Sequence, residues 1–107
     1  PGGFALSAPA YGNTAAIALS FGGATDSGAG LKRVRLWVRK GAGGWTATVH
    51  ESAQASGAFT FTGLAGDDRY YFALQAEDMA GNLSAAPSGD GAASTLVDTV
   101  APAAGTL

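Results

Sequence analysis

Five of the six lysines and arginines, Lys32, Arg33, Arg35, Arg39 and Lys40, fall within nine consecutive positions, and Trp37 is interleaved among them. Guanidinium groups and an indole on one extended face make a flat surface that can stack on sugar rings or anchor a protein partner. Trp45 and Tyr71 would enlarge it, so Arg35, Trp37, Arg39, Trp45 and Tyr71 form the candidate binding set. The competing reading is equally physical. Arginine stems cover an exposed tryptophan while Glu77 and other acids on neighbouring strands balance the charge, and this ordinary solvated face is the reading the pattern favours.

A second set is rich in oxygen. Asp26, Asp78, Asn82 and Asp98 fall in expected loops or near the end of the segment, and loop oxygens are what a hard cation such as calcium requires. No D-x-D or EF-hand spacing joins them, and Asp78 is expected to hold its own turn. Calcium is the one candidate ion, and no other cofactor is implied.

Signatures of catalysis are sparse. The single histidine begins a His50-Glu51 pair like that of zinc proteases, but Gln54 stands where the second histidine belongs, and the setting is a strand end. His50 is expected on the solvent side of that strand. Asp67 and Asp68 are neighbours on an extended chain, where side chains diverge, so they suit a turn better than a carboxylate dyad. The glycines at 41–44 lie between two expected strands and open no helix, which makes them a hairpin turn and not a phosphate loop. Asn82-Leu83-Ser84 matches a glycosylation acceptor only formally. The expectation is a chain that is not an enzyme.

These residues need a scaffold, and the alternation of apolar residues supplies one. Tyr70, Phe72, Leu74 and Ala76 share one face of an extended segment, with Tyr71, Ala73, Gln75 and Glu77 on the other. Val34, Leu36 and Val38 alternate with Arg33, Arg35, Trp37 and Arg39. Ile17, Leu19 and Phe21 alternate in residues 15–21, and Phe59 and Phe61 in residues 57–62. Residues 4–8, 45–50 and 92–97 complete seven short strands. Turn signals separate them, among them Gly12-Asn13 and Gly81-Asn82. The chain is expected to be all-β, a two-sheet antiparallel sandwich of about seven strands.

Composition agrees. A chain of 107 residues with 47% hydrophobic and 13% charged residues is one domain able to bury a single core. A net charge of −2 gives no electrostatic basis for binding nucleic acid. No apolar run is long enough to insert in a membrane. The absence of cysteine excludes an inter-sheet disulfide.

Leu64 followed six residues later by Tyr70 has the spacing of a tyrosine corner, in which a buried ring sends its hydroxyl to backbone just upstream. With Asp78-Met79-Ala80-Gly81-Asn82 closing the strand, this stretch resembles fibronectin type III and related bacterial immunoglobulin-like modules. Phe21 stands where fibronectin type III modules usually place a core tryptophan. Residues 98–102, DTVAP, resemble the junctions between consecutive modules in bacterial surface proteins, and residues 102–107 loosely echo residues 1–6. The resemblance implies a sandwich over residues 1–97, with strands one, two and five against three, four, six and seven, and a junction to a following module over 98–107, in a larger protein at the cell surface or outside the cell. Its expected role is a spacer or adhesion module whose partners are neighbouring domains of the same chain, with a glycan or surface protein as a further partner. Two alternatives remain open: a carbohydrate-binding accessory domain of a secreted hydrolase, and a calcium-stiffened adhesin repeat.

Overall fold

The computed structural model describes residues 5–9, 11–12, 16–23, 30–54, 56–62, 66–84 and 86–98. Eight strands lie among them: β1 (Ala5–Ser7), β2 (Tyr11–Gly12), β3 (Ile17–Gly22), β4 (Leu31–Lys40), β5 (Thr46–Ser52), β6 (Gly57–Phe61), β7 (Asp68–Asp78) and β8 (Ala93–Val97). They form two sheets, one ordered β1-β3-β6 and the other β2-β8-β7-β4-β5. Leu64 and Asp26 lie outside the described residues. No helix long and apolar enough to cross a membrane occurs among the described residues.

The two sheets face each other because their strands alternate in polarity. Ile17, Leu19 and Phe21 of β3 meet Phe59 and Phe61 of β6 in the smaller sheet, and Val34 and Leu36 of β4 meet Tyr70, Phe72 and Leu74 of β7 in the larger. Phe72, Val34 and Leu36 have no exposed surface, and each side chain so buried contributes about 1.5–3 kcal/mol. Aromatic contacts knit the layer. Phe21 stacks on Phe59 at 5.0 Å, and Phe61 meets Phe72 edge-on at 5.6 Å, bridging the sheets.

The amino-terminal segment departs from the expected single edge strand and from a purely antiparallel arrangement. β1 pairs antiparallel with β3, but the chain then changes sheets and β2 pairs in parallel with β8, Tyr11 opposite Leu96 and Gly12 opposite Val97. Pro9 has no N–H to continue a ladder. Its carbonyl instead accepts a 2.7 Å hydrogen bond from the hydroxyl of the fully buried Thr95, which fixes the crossing.

The fifth strand runs over residues 46–52, so Trp45 belongs to the connection before it and not to the strand. Arg35 pairs with Glu51 and Trp37 with Ala47, so β5 carries three residues, Thr48, Val49 and His50, opposite Leu36 alone. Thr48 fastens this bulge by donating its hydroxyl to the Leu36 carbonyl at 2.8 Å and accepting from the His50 N–H at 3.1 Å. Val49 is thrown out to 90% exposure. His50 is half-buried on the inner side, with its ring 6.0 Å from Phe59 and 6.2 Å from Phe61. The expected solvent-facing histidine is therefore corrected. On an edge strand that closes the gap towards β6, the inward position is lined by phenylalanine, and an imidazole body packs there.

Strand directions define two poles. Leu31 pairs with Asp78 at the first, and Lys40 with Tyr70 at the second, where β8 also ends with Val97 opposite Asp68. Ala5 is level with Gly22. A Cβ on Gly22 would lie 3.7 Å from Ser56, in the connection leaving β5 after Ser52, the partner of Val34 near the first pole. Ala5 and Asp98 thus lie towards opposite poles.

Candidate functional site

The outer face of the larger sheet carries the candidate binding residues, because alternation along β4 sends Arg33, Arg35, Trp37 and Arg39 away from the core. Cross-strand pairing adds Tyr71 beside Arg39 and Gln75 beside Arg35 from β7, with Glu51 beside Arg35 from β5. Trp45 joins from the connection after β4. The five candidates share this face but divide into two groups.

Arg39 is the centre of the first. Its Nε donates to the Gly41 carbonyl at 2.9 Å, one terminal nitrogen donates to the Gly89 carbonyl, and the other reaches Asp90 at 3.2 Å. Its guanidinium carbon lies 4.2 Å from the centre of the Tyr71 ring and 5.7 Å from that of Trp45. Trp45 lies against the backbone at Gly91, where a Cβ would stand 2.6 Å from the indole and 2.6 Å from the Phe72 carbonyl oxygen. Gly91 has φ +65°, and its N–H bonds Ser88. Only glycine fits that combination of dihedral and approach. Arg39, Tyr71 and Trp45 therefore strap the loop before β8 onto the sheet. Three of the five expected platform residues are engaged by the protein's own backbone and rings.

The second group surrounds a groove of about 200 Å³ lined by Arg33, Arg35, Trp37, Gln75, Glu77 and Leu83. Trp37 is half-buried, and its cross-strand neighbours are the small residues Ala47 and Ala73. Along one side runs a chain of alternating charge. Glu77 forms ion pairs with Lys32 at 3.9 Å and Arg33 at 3.2 Å, and Glu51 with Arg33 at 3.5 Å and with Arg35 more closely still. The hydrogen bond from Arg35 and the positive charges of Arg35 and Arg33 hold the Glu51 carboxyl below its ordinary value of 4.5, against a smaller opposing effect of desolvation. Gln75 is oriented by donating to the Ser84 carbonyl at 3.1 Å. The Nε of Arg35 and the indole nitrogens of Trp37 and Trp45 are buried without a hydrogen-bond partner among the described residues.

The oxygen-rich set is dispersed. Asp78 closes β7 at the first pole, almost completely buried. Its Oδ1 accepts from the backbone N–H groups of Ala80 at 2.9 Å and Asn82 at 2.8 Å, and its Oδ2 from the Asn82 side-chain amide at 3.0 Å. The Asn82 amide, then the two backbone donors, hold the carboxyl below its ordinary 3.8, against desolvation. Asp78 and Asn82 thus bind each other and rigidify the turn, as an Asx motif does. Asp98 stands at the second pole, its N–H on the Gly12 carbonyl at 2.9 Å. Among the described residues no three histidine, cysteine or acidic side chains cluster as metal ligands.

Tyr70 is 2% exposed, and its hydroxyl donates to the Gly66 carbonyl, four residues upstream, at 2.7 Å. Asp68 accepts from the Arg69 N–H at 2.7 Å, which is turn-type bonding at the start of the strand. Sequence reasoning did not single out Gln75, Glu51 or the loop from Gly89 to Gly91. Gln75 and Glu51 follow once the registers of β4 with β7 and β5 are known, whereas the loop's docking has only Gly91 as a local signal. No known protein family, curated protein or solved structure matches this chain.

Proposed function

We propose that this chain is a non-catalytic structural module of a larger extracellular bacterial protein, an immunoglobulin-like or fibronectin type III-like unit that spaces and orients its neighbours. The observation that carries this reading is the placement of Ala5 and Asp98 towards opposite poles of one sandwich. A chain entering at one end of a packed body and leaving at the other transmits position and direction without a pocket or a moving part. Neighbouring domains of the same chain are then its principal partners.

Two further features support a rigid body. The turn at the first pole is held by Asp78 and Asn82 through direct hydrogen bonds, so its stiffness needs no cation. At the second pole, the parallel β2–β8 pairing continues into the Asp98-to-Gly12 hydrogen bond. Tension between Ala5 and Asp98 would draw β2 and β8 in opposite directions along their lengths, so their parallel pairing is loaded in shear.

Because the chain has no cysteine, spin labels can be placed uniquely by Ala5→Cys and Asp98→Cys. Pulsed electron spin resonance should give one narrow distance of about 25–40 Å, the length of a seven- to eleven-residue strand plus label arms. A distance near the about 10 Å separation of stacked sheets, or a broad distribution, would remove the basis for a spacer.

A further inference from the structure

We propose that the groove beside Trp37 is a subsite for one neutral pyranose ring of a glycan, seated between the indole, Leu83, and the polar edges of Arg35 and Gln75. The inference is independent of the spacer reading, since a module can connect neighbours without holding sugar, and the converse.

Size comes first. At about 200 Å³ the groove is smaller than the roughly 300–1,000 Å³ of pockets for drug-sized ligands, so it suits a single ring. Chemistry narrows the choice. Lys32, Arg33 and Arg35 each already have Glu51 or Glu77 at ion-pair distance, the two carboxylates being shared among the three. A small anion would have to displace a carboxylate to gain an arginine, and a cation would meet the guanidinium groups. A polyol suffers neither penalty, because each hydroxyl donates one hydrogen bond and accepts others.

The walls are amphipathic in the same sense as a sugar. Trp37 is half-buried and Leu83 is 59% exposed, giving apolar surface for ring C–H groups. Gln75, anchored through Ser84, and Arg35, anchored through Glu51, present hydrogen-bonding edges already fixed in orientation. Such preorganisation lowers the entropy lost on binding. The buried Arg35 Nε and Trp37 nitrogen lie under these surfaces, so the ligand touches the rim of the guanidinium and the edge of the indole. Trp45 and Tyr71 are occupied by Arg39 and the strapped loop, which confines the subsite to the Trp37 end of the face.

The test is nuclear magnetic resonance of the ¹⁵N-labelled module titrated with methyl glycosides of glucose, galactose, mannose and N-acetylglucosamine. The Trp37 indole and Gln75 amide signals should move saturably with at least one glycoside, while the Trp45 indole stays in place. A dissociation constant on the order of 1 mM is expected for one ring. Gln75→Ala and, separately, Leu83→Ser should each weaken that binding at least five-fold with the remaining spectrum unchanged. The proposal is overturned if no glycoside at about 50 mM, far above such a constant, moves the two signals. It is equally overturned if acetate or phosphate moves them where sugars do not, or if both variants titrate as the parent does.

Discussion

Replacing Arg39 should destabilise the module far more than an exposed arginine would, because its side chain is only 17% exposed and joins three parts of the fold. Two of its nitrogens donate to the backbone carbonyls of Gly41 and Gly89, and hydrogen bonds to charged groups contribute about 1.5–3 kcal/mol each where both partners are buried, net of the bonds they would make to water. Its position over Tyr71 at 4.2 Å adds about 0.5–1 kcal/mol. Asp90, with its side chain 84% exposed, contributes under about 0.5 kcal/mol. Allowing for rehydration of the freed carbonyls, Arg39→Ala should lower stability by about 2–4 kcal/mol. Arg39→Lys keeps the charge but has no planar fork to reach both carbonyls, and should lose about 1–2 kcal/mol. Guanidinium denaturation measures both, and the alanine variant should melt about 10–20 °C lower. Two results would refute the reasoning: a lysine variant as stable as the parent, or an Asp90→Ala variant as damaged as Arg39→Ala.

Two other perturbations separate further parts of the account. Tyr70→Phe keeps the buried ring but removes the bond to Gly66; Gly66 is exposed, so water can take over its carbonyl and the loss should be about 1 kcal/mol, with an unchanged denaturation midpoint counting against the corner. Asp78 has a lowered folded pKa, so its stabilisation is complete above the ordinary 3.8 and is lost as pH falls through the folded value. The stability difference between the parent and Asp78→Asn should therefore narrow on acidification below about pH 4, and a difference that is constant or grows would contradict the bonding described at that turn.

Strands that follow a strict period were legible from the residues alone. Tyr70, Phe72, Leu74 and Ala76 alternate with polar or small neighbours along β7, and Val34, Leu36 and Val38 do so along β4, so each strand and its inner face could be assigned before any partner was known. The division into two sheets came from the resemblance to immunoglobulin-like modules, because alternation within one strand does not name its neighbours. What escaped depends on contacts distant in sequence. The switch of the amino-terminal segment to β8 is fastened by Thr95, 86 positions from Pro9. The strapped loop is held by an arginine 50 positions from Gly89, while its local sequence reads as a polar connection. His50 faces inward because β5 closes against β6, a neighbour that alternation within β5 cannot specify. The candidate site shows the same limit, since shared orientation along β4 was visible but not which residues the protein itself would cover.

Small-angle scattering from two copies joined through their own residues 98–107 tests the spacer role most directly, beside the same pair with residues 98–102 replaced by a Gly/Ser linker. Proline restricts its own φ and biases the residue before it towards an extended conformation, the sequence has proline at position 102, and Asp98 is tied to Gly12. The native pair should therefore be elongated, with a narrower distance distribution than the flexible pair, and EDTA should leave it unchanged. A native pair that scatters as freely jointed beads, indistinguishable from the Gly/Ser version, would contradict the account.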